Sequence, residues 1–199
     1  MHLVTVIGLN GFLIAIARHG LVGISLVWDK VLLGRRETKN LRSYVFWLGA
    51  ISIFGLALVP FGFKMPRLDI AGIAFAAGVL DLVASYFYYA ALKAGEASDE
   101  IASMEGFAPV ATALFAIPLL RQPLGGQWLG FTLMTLGGFI MFFAEKKPLK
   151  SMLPLVMLAS VAFGLMNVLD KLVFNCTNFL SGFVFVTLGT TLGAAAMFS

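Results

Sequence analysis

Gly23-Ile24-Ser25-Leu26-Val27-Trp28-Asp29-Lys30 closes the first long apolar run of the chain, and Gly164-Leu165-Met166-Asn167-Val168-Leu169-Asp170-Lys171 lies near the end of the sixth. Glycine, valine, aspartate and lysine recur in one register, at a constant offset of 141 residues. Asp-Lys at a helix end is an ordinary interfacial anchor, so either copy alone says little. Four matches at equivalent places in the hydropathy pattern indicate an internal repeat. The two copies start five spans apart, and an odd number of crossings inverts the second copy in the membrane. Such inverted repeats place a binding site at the midplane between their halves.

The spans follow from composition. The 199 residues are 60% hydrophobic and 12% charged, with a mean hydropathy of +0.95. Soluble domains carry about twice that share of charge. A water-soluble enzyme, a disordered chain and a disulfide scaffold are excluded, and an integral membrane protein is indicated. Seven stretches approach the ~20 apolar residues needed to cross the hydrocarbon: 12–33, 43–62, 70–92, 101–120, 127–144, 152–174 and 180–199. Short polar segments divide them, such as Gly34-Arg35-Arg36-Glu37-Thr38-Lys39-Asn40 and Glu145-Lys146-Lys147-Pro148. No stretch alternates like a barrel strand. The fold class is an all-α membrane protein of about seven transmembrane helices. Leu3 to Ala17 has the length of a signal core, and Ala15-Ile16-Ala17 resembles a cleavage site. However, no Lys or Arg precedes it and the apolar run resumes after Arg18-His19, so a retained helix is expected. The net charge of +4 lies in loop clusters, which indicates no nucleic-acid partner. The lone cysteine, Cys176, has no intrachain disulfide partner and reads as a packing residue.

Five-span halves, each opening with a helix that carries Asp-Lys near its end, resemble the drug/metabolite transporter superfamily, EamA type. Ala90-Ala91-Leu92-Lys93-Ala94-Gly95-Glu96-Ala97-Ser98 is similar to that family's join between third and fourth helices. Phe107-Ala108-Pro109-Val110-Ala111-Thr112-Ala113-Leu114 resembles its proline-bearing fourth helix. Gln127-Trp128-Leu129-Gly130, followed by Gly137-Gly138, resembles its fifth. Arg121-Gln122-Pro123 departs from the usual Gly-Glu after the fourth helix. The resemblance implies a ten-helix, inverted-repeat (5+5) transporter fold. Residues 1–149 would be the first five-helix repeat, and 150–199 the first two helices of a second, incomplete one. With Ser199 at the edge of an apolar stretch, a truncated family member is expected.

The function implied is secondary transport, efflux or uptake, of small organic metabolites or drugs by alternating access. The chain would be a multi-pass protein of the cell inner membrane. Its partners would be the lipid bilayer and a small-molecule substrate, with protons as a candidate coupling ion, and a homo-oligomer is left open. No cofactor and no enzyme activity are implied. The alternatives are a lipid flippase subunit of the same superfamily and a seven-helix receptor. A retinal receptor needs a lysine in its last helix, and 180–199 has none. No His-Glu-x-x-His, no Gly-x-Ser-x-Gly elbow, no phosphate-binding loop and no metal-ligand spacing occurs.

Charge counts bear on orientation. Lys30, Arg35, Arg36, Lys39, Arg42, Lys93, Lys146, Lys147 and Lys150 flank the exits of odd-numbered spans, against Lys64, Arg67, Arg121 and Lys171 for even-numbered ones. The positive-inside rule then puts the N-terminus outside, whereas the family resemblance implies a cytoplasmic one; orientation stays open. Four spans separate 30–42 from 145–150, which places both on one side. Lys39→Cys and Lys147→Cys, each in a Cys176→Ser background, are expected to react with an impermeant thiol reagent from the same side. Reaction from opposite sides would refute the alternation.

Charges at membrane depth cost roughly 2.5–3.5 kcal/mol on insertion scales, so each is a functional candidate. Asp81 is in mid-span, with Ser85 at i+4, Tyr88 at i+7 and Tyr89 one step round. This stripe reads as a substrate- or proton-binding face, or as interhelical hydrogen-bonding glue. Glu105 lies a turn into the fourth span with Pro109 and Thr112 on its side. Pro109 lacks the amide that would bond the Glu105 carbonyl, which exposes polar backbone of the kind transporters use at binding sites. The other reading is an interfacial glutamate. Arg18 shares a face with Val22, Ser25 and Asp29, and is a candidate partner for Asp81 or an anionic substrate. His19 is a candidate proton relay. If the first helix starts later, Arg18 and His19 are interfacial. Asp29, Lys30, Asp170 and Lys171 are the repeat-motif helix ends.

Overall fold

The computed structural model of the chain describes residues 2–34, 40–94, 97–121, 128–144 and 152–198. Within these, side chains are described except at 2–12, 15, 18, 19, 97–103, 105, 134, 141–144 and 198. The chain divides into two units, Met1–Lys39 and Asn40–Ser199.

The first unit is one helix, α1, His2–Leu33. It begins ten residues earlier than the expected 12–33. Leu3, Val4, Val6 and Ile7 continue the apolar pattern, and an Asn-Gly pair inside a long helix costs only about 1–2 kcal/mol. Arg18 and His19 therefore sit near the middle of α1, and their side chains lie outside the described ones. In its last turns Ser25 Oγ donates to Asp29 Oδ2 at 3.4 Å.

Among the described residues the second unit holds six α-helices: α2 Leu41–Ile51, α3 Leu68–Ala94, α4 Ala97–Leu120, α5 Trp128–Ala144, α6 Leu153–Cys176 and α7 Phe179–Phe198. Asn40 caps α2 by accepting the Arg42 amide at 3.1 Å. The second apolar span is not α-helical throughout: from Ser52 to Phe61 it continues as a 3₁₀ helix. Ser52 marks the change, its hydroxyl donating to the Leu48 carbonyl at 3.1 Å; such back-bonding bends helices. At the far end Pro60 removes an amide that an α-helix would use.

α3 is central and packs on α2, α6 and α7, while α4 packs on α5 and α6. Ala74 of α3 clusters with Val173 of α6, and Ala91 clusters with Val156, so these helices run antiparallel. Phe75 and Leu82 of α3 meet Gly189 and Gly193 of α7, so α3 and α7 run parallel. Gly49 approaches Ala194, and Gly55 approaches Phe183, which makes α2 antiparallel to α7. Thus α2 and α6 run one way and α3 and α7 the other, as successive membrane crossings require. Among the described residues, Leu41–Phe61, Leu68–Ala94, Leu153–Cys176 and Phe179–Met197 are long and apolar enough to span a bilayer.

The packing rests on small residues and interhelical hydrogen bonds, because lipid supplies no hydrophobic drive between helices. A Cβ on Gly78 would fall on the Val186 carbonyl, and one on Gly189 on the Phe75 carbonyl. Thr190 Oγ1 donates across this contact to the Gly78 carbonyl at 3.1 Å. Thr191 Oγ1 donates to the Gly49 carbonyl at 3.1 Å. At the end of α3 nearest Leu68, the Lys64 amide donates to Ser181 Oγ at 2.9 Å, and Asn178 caps α7 through the Ser181 amide at 2.7 Å.

α4 continues through both Pro109 and Pro118. It ends at Arg121, which has a φ of 52°, the left-handed position where helices usually place glycine. The departure from Gly-Glu seen in the sequence thus falls on a position that strains an L side chain. Arg121→Gly is expected to relieve about 1 kcal/mol and to raise the thermal unfolding midpoint in detergent. A lower midpoint would contradict it.

Candidate functional site: a polar cavity beside α3

Asp81 stands at the middle of α3, and two adjoining cavities meet at it. One, of about 180 Å³, is lined by Leu48, Gly49 and Ser52 of the second span, by Asp81, Leu82, Ser85 and Tyr89 of α3, and by Thr190 of α7. The other, of about 260 Å³, is lined by Ile51, Ser52, Gly55, Asp81, Phe183, Val186, Thr187 and Thr190. Ser52, Asp81 and Thr190 belong to both. The small residues that draw α2, α3 and α7 together also explain the space. Gly49 and Gly55 add no side chain, and Ser52, Ser85 and Thr190 add short ones.

Asp81, Ser85 and Tyr89 follow one another at intervals of four and share a face of α3. Tyr88 does not line either cavity. Its ring meets Phe163 of α6 with centroids 6.2 Å apart and the Tyr89 ring at 5.0 Å. Tyr89 in turn lies edge-on to Tyr44 of α2 at 5.0 Å. The tyrosine pair therefore divides, Tyr88 toward α6 and Tyr89 toward α2 and the cavity. Glu105, like Arg18 and His19, has its side chain outside the described ones. Its neighbour Thr112 donates to the Ala108 carbonyl at 2.9 Å.

The carboxylate of Asp81 has no hydrogen bond or ion pair to any described residue. Asp170 of α6 is close enough for the two acids to interact electrostatically. Asp170 Oδ1 is buried and accepts no hydrogen bond among the described residues. The sequence register offers a comparison. Asp29 receives the Ser25 hydroxyl, whereas the residue 141 positions after Ser25, four before Asp170, is Met166. Lys171, beside it, is exposed. Among the described residues no three His, Cys, Asp or Glu are grouped to hold a metal ion.

The profile of the EamA-like transporter family matches residues 9–143, more than half of the chain. The chain belongs to the EamA-like transporter family. No curated protein and no solved structure matches it. The EamA-like family comprises multi-helix membrane transporters of small molecules and is not an enzyme family. In this EamA-like chain the cavity draws on residues that the sequence did not single out: Ser52, Thr187 and Thr190. Their only sequence signal is a hydroxyl inside an apolar helix, which more often back-bonds its own helix. Thr190 does so with the Val186 carbonyl at 3.1 Å, while also reaching α3.

Proposed function

We propose that the chain is a secondary transporter of small organic metabolites or drugs, working by alternating access in the cell inner membrane. The observation that carries this is a carboxylate without a described partner, at mid-depth of a membrane-crossing helix, facing two cavities. Intramembrane carboxylates of this kind mark substrate and proton pathways. In this reading Asp81 and Ser85 bind substrate or proton, and Tyr88 holds the stripe against α6. Glu105, Arg18 and His19 remain candidate members of the same pathway. Residues 1–149 act as the first repeat and 150–199 as the start of its inverted copy, with Asp29-Lys30 and Asp170-Lys171 in equivalent places. The family and the constant register of the two motifs support the repeat. Its alternating states would expose the midplane site to each side in turn.

The test is transport by the purified chain in proteoliposomes. Preloaded vesicles are screened for release and uptake of labelled small metabolites, with and without an imposed proton gradient. Saturable flux that responds to the gradient is expected, and collapse of the gradient by an ionophore should abolish accumulation. Flux equal to that of protein-free vesicles for every solute would overturn the reading.

A further inference from the structure

We propose that the cavity at Asp81 is a site for a small primary ammonium compound. The inference deepens the transport reading by naming a substrate class, but it concerns binding and is tested without transport. Three observations carry it. First, the Asp81 carboxylate lines both cavities and no described cation or donor reaches it. Asp81 is the one charged residue among those lining the two cavities, so nothing in either lining neutralises it. Second, Asp170 adds a second carboxylate nearby, with one oxygen buried and unpartnered among the described residues. A cleft of one sign with low-dielectric walls focuses its field and favours the opposite charge.

Third, the two hydroxyls that line both cavities, Ser52 and Thr190, are turned into acceptors. The Ser52 proton goes to the Leu48 carbonyl. The Thr190 proton goes to the carbonyls of Gly78 and Val186. Each hydroxyl has one proton and two lone pairs, so what these two offer a ligand is lone pairs. A carboxylate with two acceptor hydroxyls around it suits a group rich in N–H donors. It disfavours an anion and gives a neutral alcohol nothing for the charge. Tyr89 and Phe183 supply aromatic wall on either side, suitable for the apolar part of an amine. The cavities, about 180 and 260 Å³, lie below the ~300–1,000 Å³ typical of drug-sized sites. A ligand held in either cavity alone is therefore a small amine.

The experiment is equilibrium binding to the purified full chain in detergent, by titration calorimetry at neutral pH. Four probes of similar shape are used: benzylamine, benzyl alcohol, benzoate and benzyltrimethylammonium. Benzylamine should bind at least about thirtyfold more tightly than the alcohol or benzoate, the range set by loss of one member of a buried charge pair. The trimethyl compound keeps the charge but has no N–H donor, and should bind more weakly than benzylamine. Asp81→Asn should lose at least about thirtyfold in benzylamine affinity, and Asp81→Glu should recover part of it. Thermal unfolding of each variant reports whether the fold is intact. If Asp81→Asn does not fold, the ranking of the four probes on the unaltered chain decides alone. Equal affinity for benzylamine and benzyl alcohol overturns the proposal, as does a folded Asn variant with unchanged affinity, or no benzylamine binding at all. Benzylamine binding without flux in vesicles would remove the transport reading and leave the site. Flux of neutral or anionic solutes by a chain that binds no benzylamine would do the reverse.

Discussion

Asp81→Asn is expected to abolish gradient-driven accumulation while leaving the protein inserted and folded. Asn has nearly the shape of a protonated Asp and keeps hydrogen-bonding capacity, so the change removes charge and titration rather than volume. A group that couples a proton to a substrate must alternate between the two, and Asn cannot. Accumulation driven by a proton gradient should fall at least about tenfold, whereas exchange of substrate for substrate should persist because it needs no net proton movement. The dependence on pH distinguishes coupling from structure. Transport by the unaltered chain, measured across roughly pH 5 to 8, should vary with pH because a coupling carboxylate must take up and release its proton, and the Asn variant should be flat. If Asp81 serves only as interhelical glue, Asn preserves the bond and transport keeps both its rate and its pH profile. That outcome would pass the coupling role to Glu105.

The second large effect is structural. Gly78→Ala is expected to lower the thermal unfolding midpoint strongly, whereas Gly72→Ala, six residues away on the same helix, should be neutral. A methyl group at Gly78 falls on the Val186 carbonyl and 2.7 Å from the Thr190 amide nitrogen, while one at Gly72 meets nothing within 4 Å. To admit it, α3 and α7 must separate. That breaks close packing, at roughly 1–3 kcal/mol, and strains the Thr190 bond to the Gly78 carbonyl, at about 0.6–1.7 kcal/mol. The combined loss corresponds to a fall of roughly 3–19 °C for a chain of this size. Separation also enlarges the cavity, since Thr190 lines it. Two alanine variants that melt together would contradict the close approach of α3 and α7.

The helices were legible because hydrocarbon allows the backbone so few solutions. An apolar run of about 20 residues is a helix almost by necessity. Boundaries were less so: Asn10-Gly11 looks like punctuation, yet α1 runs straight through it from His2. The change of winding at Ser52 was not legible, since it depends on one hydroxyl turning to Leu48. In the cavity, the Asp81, Ser85 and Tyr89 face follows from a spacing of four. The seventh-position neighbour Tyr88 falls on the boundary of that face, and contact with Phe163 decides its side. Ser52, Thr187 and Thr190 could not be found from the sequence, because their place depends on how α2 and α7 dock on α3. Asp170 read as an anchor near a helix end, but α6 continues to Cys176, which leaves one of its oxygens buried.

The 3₁₀ segment has a consequence for reach. Its 10 residues rise about 2.0 Å each rather than about 1.5 Å, so it extends some 20 Å where an α-helix would extend about 15 Å. With the 11 residues of α2, the second span measures about 36 Å, comfortably more than the ~30 Å hydrocarbon layer. Wound as α throughout, the same residues would fall about 5 Å shorter. The Lys64 amide and the Gly62 carbonyl would then stop roughly a turn short of Ser181 and Asn178, which they now meet at 2.9 and 3.5 Å. The stretched winding is thus a ruler: it sets the height at which the second span can be fastened to the start of α7.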